Sequence, residues 1–480
     1  MTDQTDDLGE LRVELLNLQY QLMQADFAVM LLIAGDDRPG AVHLLRTLHE
    51  WMDARYLINF ISFGTDQSEN AERPILRRYW RRLPPEGKIG VFLGGWPTSF
   101  LRTAVEERWQ PETFEQALAD INYFEQQQLD HGTLLLKYWL HLPEDILRQR
   151  IQAAKQNPET HWDIAQHDWE IYEQEGDVYA QIQNLLHGTD TERAPWHVLD
   201  SANLEQATKQ VGQQIANSLR ARLATTEPAN TVFEPFTNAQ PVISDNTVKV
   251  DKQDYQAQLE ALQSRLNDLA RTAAEMNIAN VLVFEGVDAA GKGGTIRRLV
   301  RALPVQLVRV IPISAPDESE RARHYLWRFW TRIPTPGKWT VFDRSWYGRV
   351  LIERVEALIS EAVWQRAYQE INHFEQGLVE AHMVVTKFWL QIDYDEQERR
   401  FNARAKTPHK KYKLTPDDLR NRELWHEYQE ARKDMLAQTD SEHAPWHVID
   451  ANDKRSARLA VLRIVCQRLS DAIEAQAAQQ

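Results

Sequence analysis

Apolar positions in the second half of the chain follow two different spacings. Residues 255–276 repeat leucine every three or four positions, which predicts an amphipathic helix, whereas residues 281–284 form a short apolar run, which predicts a buried strand. The same two patterns recur downstream. They predict strands at 307–311, 340–342, 384–392 and 446–450, and helices at 318–331 and 361–380. Strands that alternate with helices indicate an α/β fold with a parallel sheet covered on both faces.

The pattern occurs twice in the chain. INYFEQ at 121–126 recurs as INHFEQ at 371–376, and LLKYWL at 135–140 recurs as VTKFWL at 385–390. The same offset of 250 residues (371 − 121) separates APWHVLD in the first half from APWHVID in the second. A period of this length indicates a duplicated domain, because solenoid repeats are much shorter.

A glycine-rich loop follows the strand at 281–284. It reads GVDAAGKGG over 286–294, with a basic helical segment after it. A strand, a glycine loop and a helix in this order direct backbone N–H groups at a phosphate, and the lysine neutralises its charge. The predicted phosphate-binding residues of this loop are Gly291, Lys292, Gly293, Gly294 and Thr295. Because glycine stands where a serine or threonine usually follows the lysine, the metal ligand must come from elsewhere.

Two acidic residues are candidate metal ligands. Asp343 ends an apolar strand in the manner of a Walker B acid, and Asp288 lies within the glycine loop. Ligands bind outside the carboxyl ends of parallel strands, so we expect both acids there, beside Lys292. Each acid also has a structural interpretation, since Asp343 could cap a helix before Ser345 and Asp288 could be a turn aspartate.

The first half lacks the residues of this chemistry. At the matching positions Ala41 stands for Lys292, Leu93 for Asp343 and Gly94 for Arg344. The lysine of the loop and the acid at the strand end are therefore lost together. We predict that the first half keeps the fold without the catalytic residues.

A basic run in the second half contrasts with the net charge of −15. No acidic residue occurs from 399 through 413, and the first half has few basic residues at the matching places. A solvated helix face is the ordinary meaning of such a run. Because the charge is lost together with the loop lysine, we predict instead a lid that covers a polyanion. Its predicted contacts are Arg399, Arg400, Arg404, Lys406, Lys410 and Lys411.

Length and composition agree with two domains. The chain has 480 residues and 43% hydrophobic residues, and each half is large enough to bury its own core. The predicted limits are 1–224 for a degenerate domain, 225–248 for a linker and 249–480 for a catalytic domain with its lid near 395–425. The one cysteine, Cys466, excludes an internal disulfide and is predicted to lie in the core. We expect a cytoplasmic protein, since no apolar stretch approaches membrane-spanning length and the N-terminus lacks a secretory pattern.

Four motifs together carry a family resemblance. GVDAAGKGG at 286–294, YLWRFW at 325–330, FDRSWYGRVLIERVE at 342–356 and APWHVIDANDK at 444–454 resemble the polyphosphate kinase 2 family, whose fold is similar to that of thymidylate kinases. The resemblance covers the second half strongly and the first half as a degenerate copy. It implies two tandem P-loop kinase-like domains, each a parallel sheet with helices on both faces.

The tandem arrangement resembles the two-domain members of that family. These transfer the terminal phosphate of inorganic polyphosphate to AMP, giving ADP in a reversible reaction that uses Mg²⁺. The resemblance implies that Asp288, Lys292, Asp343 and Arg344 form the catalytic site, with Asp288 and Asp343 on the metal. Arg349 is expected on the phosphate, and Arg323 and His324 are candidates for nucleotide binding. We expect AMP, ADP and polyphosphate as partners, and neither nucleic acid nor a membrane. The first half is expected to pack on the second or to mediate homo-oligomerisation through the aromatic residues that it keeps.

Three other functions remain open at this point. The acceptor could be a nucleoside diphosphate rather than AMP, because the preference for AMP rests on the two-domain architecture alone. The chain could be an ATP-dependent nucleoside monophosphate kinase, which the glycine after Lys292 and the basic lid argue against. It could also be a polyphosphate-binding regulator that catalyses no reaction.

Overall fold

The structure is a computed structural model. It describes residues 2–62, 74–143, 178–225, 242–244, 249–408 and 416–478, together with single positions between 145 and 156. The chain divides into two compact units. The first comprises Met1–Thr231 and Pro316–Trp327, and the second comprises Val232–Ala315 and Arg328–Gln480. The domain limits given above remain a prediction.

The first unit is built around a parallel sheet. Its described strands are β1 (Val29–Gly35), β2 (Leu57–Ile61), β3 (Ile89–Leu93), β4 (Leu134–His141) and β5 (Trp196–Asp200), in the order β2-β3-β1-β4-β5. All neighbouring strands run parallel. Its longer described helices are α1 (Thr2–Leu22), α2 (Arg38–Trp51), α4 (Gly95–Glu106), α5 (Pro111–Asp130), α6 (Val178–Thr189) and α7 (Leu204–Leu223), and α3 is the short helix Arg77–Trp80.

The second unit repeats this plan with an additional strand. Its described strands are β6 (Val242–Ser244), β7 (Ala279–Gly286), β8 (Val308–Pro312), β9 (Trp339–Asp343), β10 (Met383–Gln391) and β11 (Trp446–Asp450), in the order β6-β11-β10-β7-β9-β8. These strands also pair in parallel. The α/β fold with two tandem sheets is thus confirmed. Strand β6 lies within the stretch that the sequence predicted to be a linker.

Helices cover the second sheet and extend beyond its edge. They are α8 (Lys252–Glu275), α9 (Lys292–Val300), α12 (Ile352–Val355), α13 (Glu361–Glu380), α14 (Tyr394–Ala405), α15 (Pro416–Glu423), α16 (Trp425–Thr439) and α17 (Lys454–Ala477). The helix predicted over 318–331 forms instead as two short helices, α10 (Glu318–Arg321) and α11 (Trp327–Trp330). Between them the backbone N–H of Leu326 donates to His324 Nδ1 at 3.3 Å, so the intervening turn uses a side-chain acceptor.

The position of β7 at the centre of the sheet places the glycine loop. β7 lies between β10 and β9, and its register pairs Phe284 with Asp343 and Gly286 with Leu390. Its residues are buried up to Glu285. The carboxyl ends of three neighbouring strands therefore meet where the loop begins, which is the edge predicted to bind ligands.

A buried ion pair supports each sheet. Lys387 Nζ on β10 donates to Glu375 Oε2 at 2.7 Å and to the Thr439 carbonyl at 2.7 Å, with neither charged side chain exposed. Lys137 of the first unit donates to Glu125 at the same distance. Because the pair exists in both units, it belongs to the shared fold and not to the chemistry of one half.

The second unit buries Cys466 in its core, as predicted. The cysteine lies on α17 among leucines, valines and alanines. Burial raises the pKa of its thiol to about 11. No helix among the described residues combines the length and the apolar character that spanning a membrane requires.

Candidate active site

The glycine loop turns sharply at the end of β7. Gly286 has φ of +137°, and a Cβ on this residue would lie 2.3 Å from the Leu390 carbonyl oxygen on β10. Only glycine fits both the conformation and the space. At the other end of the loop Gly291, with φ of +113°, immediately precedes α9. The loop therefore leads from the central strand directly to a helix N-terminus, where backbone N–H groups are available to an anion.

Lys292 lies at the first position of α9. Its Nζ donates to the Gly286 carbonyl at 2.5 Å, so the ammonium group lies over the loop. Burial and the neighbouring Arg344 lower its pKa, while Asp288, Asp343 and Glu285 act in the opposite direction. The ammonium group and these three carboxylates therefore lie near one another at one end of the sheet.

Asp288 and Arg344 form an ion pair across the loop. Arg344 Nη2 donates to Asp288 Oδ1 at 3.0 Å, and the Asp288 side chain is 13% exposed. Burial alone would raise the pKa of Asp288, but Lys292 and Arg344 outweigh it and lower that pKa. Burial alone would lower the pKa of Arg344, but the negative charges of Asp288 and Glu285 outweigh burial and raise that pKa. Both groups are therefore charged near neutral pH.

Arg344 has an unusual backbone conformation. Its φ of +66° falls in the left-handed region, which non-glycine residues rarely adopt. Its N–H donates to the Phe284 carbonyl at 3.0 Å, so the residue stays attached to the end of β7. Strain of this kind clusters at functional sites, where it directs a side chain. Here it accompanies the pairing of the guanidinium group with Asp288.

Glu285 is a residue of the site that the sequence reasoning did not include. It is the penultimate residue of β7 and is 5% exposed. Its Oε1 accepts from the N–H of Ser345 at 2.8 Å and from the Ser345 hydroxyl at 2.9 Å. The internal repeat contained a signal, because the first half has Ala34 at the matching position. Glu285 thus fixes the backbone that immediately follows Arg344.

Asp343 reaches the start of α9 from the end of β9. One of its carboxylate oxygens lies 3.7 Å from the place a Cβ would take on Gly293. Asp288 and Asp343 therefore both lie beside Lys292, as expected. Within the described residues no group of three or more His, Cys, Asp or Glu side chains forms a metal cage. A pair of carboxylates suits a cation of the Mg²⁺ type, which is commonly held by one or two carboxylates and the phosphates of a substrate.

Arg400 has a different environment from the one predicted. It is 5% exposed, and its Nη1 donates to the carbonyls of Ala289 at 2.9 Å and Ala290 at 2.8 Å. Its Nη2 donates to the carbonyls of Ala451 and Asn452, and its Nε pairs with Glu396 at 2.5 Å. All five N–H donors of the guanidinium group are engaged. This geometry favours a clamp on the glycine loop over the polyphosphate contact that the sequence predicted.

The other predicted lid residues lie on or after α14. Arg399 is 74% exposed and pairs with Glu396 at 2.7 Å, and Arg404 lies 5.9 Å from the ring of Phe401. Lys406 follows the C-terminus of α14. Lys410 and Lys411 lie outside the described residues. The structure thus brings Arg399, Arg404 and Lys406 together on one helical segment of the predicted lid.

Two further predicted phosphate contacts have internal partners. The hydroxyl of Thr295 donates to the Gly291 carbonyl at 3.3 Å, and Thr295 is 3% exposed. Arg349 Nη1 donates to Glu353 at 2.6 Å. The hydroxyl of Thr295 therefore donates within the first turn of α9. For both residues, phosphate contact remains a prediction.

Arg323 and His324, the predicted nucleotide contacts, belong to the first compact unit and not to the unit that holds the loop. Arg323 Nε donates to the Leu83 carbonyl at 2.9 Å. His324 is 2% exposed, and its ring centroid lies 5.2 Å from that of Trp80 and 5.3 Å from that of His131. These contacts support a packing role, and a nucleotide contact remains a prediction.

A pocket with aromatic walls adjoins the Asp288–Arg344 pair. Its polar end contains Glu285, Asp288, Arg344, Gln397 and Asn421, and its apolar walls contain Val287, Leu351, Ile352, Trp389, Trp425 and Tyr428. Gly286 and Gly348 complete the lining. A charged end beside aromatic walls matches a nucleotide, which has phosphates at one end and a flat ring at the other.

Residues of the predicted lid form part of this pocket. Asn421 of α15 donates from Nδ2 to Asp288 Oδ2 at 2.8 Å, and Gln397 of α14 donates from Nε2 to the Asp288 carbonyl at 3.1 Å. Both amides are uncharged, so the charge pattern that predicted the lid contacts indicates neither of them. The neighbourhood of Asp288 therefore combines residues from the loop, from the end of β9 and from two lid helices.

A family model covers both halves of the chain. The model for polyphosphate kinase 2 matches residues 1–227 and again residues 249–477. The two matches fall on the two copies that the internal repeat delimits.

Relatives match this chain over nearly its whole length and theirs. A polyphosphate:AMP phosphotransferase of Pseudomonas aeruginosa is 42% identical over 482 aligned positions, which cover 97% of this chain and 95% of the relative. The protein of that name from Acinetobacter johnsonii is 34% identical, with 96% of each chain covered. A crystal structure from Pseudomonas aeruginosa assigned to polyphosphate kinase 2 superposes with a TM-score of 0.84 at 38% identity, covering 100% of this chain and 97% of the other.

Proposed function

We propose a specific reaction for this chain, which belongs to the polyphosphate kinase 2 family: its second half transfers the terminal phosphate of inorganic polyphosphate to AMP, giving ADP. The observation that carries the proposal is the position of the Asp288–Arg344 ion pair. The pair joins the lysine-bearing glycine loop, to which Asp288 belongs, to Arg344, and both residues line a pocket with aromatic walls. The loop provides a phosphate site and the pocket provides an acceptor site next to the same charged pair.

The roles follow from charge and position. Lys292 and the N–H groups at the start of α9 hold phosphate at the transfer point, and Arg344 stabilises the charge of the transferred group. Glu285 holds the backbone after Arg344 through Ser345. Phosphoryl transfer needs in-line placement and neutralised charge more than covalent help, and this set supplies both.

A divalent cation belongs to this chemistry, and we propose Mg²⁺. Asp343 and Asp288 are the residues that would hold it, since both carboxylates lie beside Lys292. When bound, it would supply positive charge that neutralises the negative charge of the phosphates. Lys292, Arg344 and the loop bind the phosphates and orient them.

The donor is recognised by charge. Polyphosphate has no base or ribose, so a row of cations is sufficient to bind it. Arg399, Arg404 and Lys406 provide such a row on the segment that leads away from the loop. The acceptor is AMP, whose adenine ring fits against Trp389, Trp425 and Tyr428 while its phosphate faces Arg344.

A matrix of donors and acceptors tests the proposal. The purified chain is incubated with polyphosphate or ATP as donor and with AMP, ADP or GMP as acceptor, and the products are separated by chromatography. We expect ADP from polyphosphate and AMP, loss of the reaction on chelation, and recovery on addition of Mg²⁺. ATP formed from ADP, with no ADP formed from AMP, would overturn the choice of acceptor. Turnover with ATP alone as donor would overturn the choice of donor.

A further inference from the structure

A hydrogen bond joins helix α15 to the acid of the glycine loop. Asn421 Nδ2 donates to Asp288 Oδ2 at 2.8 Å, across 133 residues of sequence. Arg344 donates to the other oxygen, Oδ1, at 3.0 Å. Each oxygen of Asp288 therefore has a donor from a different element, one at the end of β9 and one on α15. Two donors in fixed positions set the orientation of the carboxylate plane.

The type of donor on α15 matters because an amide is neutral. A lysine or arginine at position 421 would neutralise Asp288, and an acid would repel it. An asparagine orients the carboxylate and leaves its charge available to Lys292 and a cation. This is the property expected of a group that positions a charged residue.

Asn421 is itself oriented by α16, the helix that follows α15. The hydroxyl of Tyr428 on α16 donates to Asn421 Oδ1 at 3.3 Å. Because the amide oxygen is engaged there, the amide nitrogen faces Asp288. Burial raises the pKa of Tyr428 to about 12, so the phenol keeps its proton near neutral pH.

The neighbours of Asn421 hold α15 in the same place by separate contacts. Arg422 Nη1 donates to Gln397 Oε1 at 3.1 Å, and Gln397 in turn donates to the Asp288 carbonyl. The guanidinium group of Arg422 also lies 3.5 Å from the centre of the Tyr394 ring. On the other side, Arg420 pairs with Glu356 at 3.0 Å. Three consecutive residues of α15 thus bind to three different parts of the second unit.

The first half offers an internal comparison. Asp37 matches Asp288, but at the offset of 250 residues Ile171 matches Asn421 and Val178 matches Tyr428. In the first unit, Asp37 accepts from the Gly40 N–H at 3.0 Å and caps α2. The aspartate therefore serves as a helix cap in the half that lacks the amide, whereas no side chain caps α9 in the second half.

We propose that Asn421, oriented by Tyr428, is a positioning residue of the transfer site, which fixes the Asp288 carboxylate and holds α15 against the acceptor pocket. The inference rests on the proposed function for its effect on turnover. The structural part of the inference, which is the attachment of α15 to Asp288, can be measured without any substrate.

The test compares Asn421→Ala, Asn421→Asp and Tyr428→Phe with the control Asn402→Ala, which removes an exposed asparagine of α14. Steady-state kinetics give kcat and the KM values for AMP and polyphosphate separately. Hydrogen–deuterium exchange on the unliganded chain gives the protection of residues 416–424 relative to α13 and β10. Thermal unfolding reports the stability of each variant.

We expect Asn421→Ala to lower kcat about ten- to a hundred-fold, as for a misplaced reacting group, and to raise the KM for AMP more than that for polyphosphate. Asn421→Asp should lower kcat further, and the kcat of Tyr428→Phe should lie between those of the Asn421→Ala variant and the control. Exchange should rise at 416–424 in both Asn421 variants and stay unchanged in α13 and β10. The unfolding temperature should change little.

Two results would overturn the inference. One is an Asn421→Ala protein with the kcat, KM and α15 exchange of the parent chain. The other is increased exchange throughout the second unit with a lower unfolding temperature, which would make Asn421 a general structural residue. Failure of the proposed function would look different, because the parent chain would form no ADP while exchange at 416–424 still responded to the Asn421 substitutions.

Discussion

Glu285 accepts two hydrogen bonds from Ser345, one from its backbone N–H at 2.8 Å and one from its hydroxyl at 2.9 Å. Glu285 is the penultimate residue of the central strand and Ser345 follows Arg344, so this contact couples the strand that carries the loop to the segment that carries the arginine. The first half has alanine in place of Glu285. The contact thus occurs in the half that keeps Lys292 and Asp343.

Replacing Glu285 with alanine should therefore disable the transfer site. We expect Glu285→Ala to lower kcat about a hundred-fold or more, because Arg344 loses the support of its neighbouring backbone. Glu285→Gln should keep most of the activity, since an amide oxygen still accepts and burial already raises the pKa of the Glu285 carboxyl. Rate measurements at saturating AMP and polyphosphate check both variants. Equal losses in the two would contradict this account of the contact.

Arg399 and Arg400 are adjacent arginines with opposite surroundings, which makes them a matched pair. Arg400→Ala leaves the loop carbonyls of Ala289 and Ala290 without their donor, and we expect a destabilisation of about 2–4 kcal/mol together with a lower kcat. Arg399→Ala removes an exposed cation and should raise the KM for polyphosphate while the unfolding temperature stays unchanged. Thermal unfolding and polyphosphate titrations separate the two effects. If both variants raised only the KM for polyphosphate, the clamp role of Arg400 would be wrong.

Gly348 lines the pocket without a steric reason to be glycine. A Cβ there would meet no atom within 4 Å, and its φ lies outside the left-handed region. Gly348→Ala should therefore be tolerated, whereas Gly348→Leu should occupy acceptor space and raise the KM for AMP about ten-fold or more, with little change for polyphosphate. Initial rates at varied AMP measure this effect. An unchanged KM for AMP in the leucine variant would remove this pocket as the acceptor site.

His447 makes the second unit sensitive to acid. Burial, together with Arg468 and Lys387, lowers its pKa to about 4 from the usual 6.5. The folded state therefore binds fewer protons than the unfolded state between those values, and stability falls as the pH drops through 6.5 towards 4. The free energy of unfolding is lower near pH 5 than at neutral pH by about 2 kcal/mol as a result.

The histidine prediction is measured as the change in unfolding free energy between pH 7 and pH 5. His447→Gln should reduce this change, and the control His426→Gln, at an exposed position of α16, should leave it as in the parent chain. An equal pH dependence in all three proteins would show that His447 does not titrate as the structure implies.

The sequence predicted those features that local pattern determines. Val281–Phe284 is apolar and is followed by Gly286, so the strand, the loop and the start of α9 could be placed within a few residues. The internal repeat also separated the residues of the fold from those of the chemistry, as the loss of Lys292 in the first half illustrates. Asp288, Lys292, Asp343 and Arg344 accordingly meet at one edge of the sheet.

The contacts that the sequence did not predict are long-range. Arg400 belongs to a basic run by composition, yet its Nη1 donates to two carbonyls of the glycine loop and its Nη2 to the carbonyls of Ala451 and Asn452, which no local pattern indicates. Asn421 lies 133 residues from Asp288 and carries no charge, so the charge pattern of the sequence does not indicate it. Arg323 and His324 immediately precede the aromatic residues of YLWRFW, a pattern that fits a binding surface and a packed core equally well.

Formation of ADP by Lys292→Ala, with AMP, polyphosphate and Mg²⁺ but no ATP, tests the central claim most directly. Removing the ammonium group over the loop should lower kcat at least a hundred-fold, because it contributes charge where the transition state needs it. The control substitution His43→Ala, on α2 of the first half, should leave ADP formation unchanged. Near-full activity in Lys292→Ala, or loss of activity in His43→Ala alone, would contradict transfer by the second half.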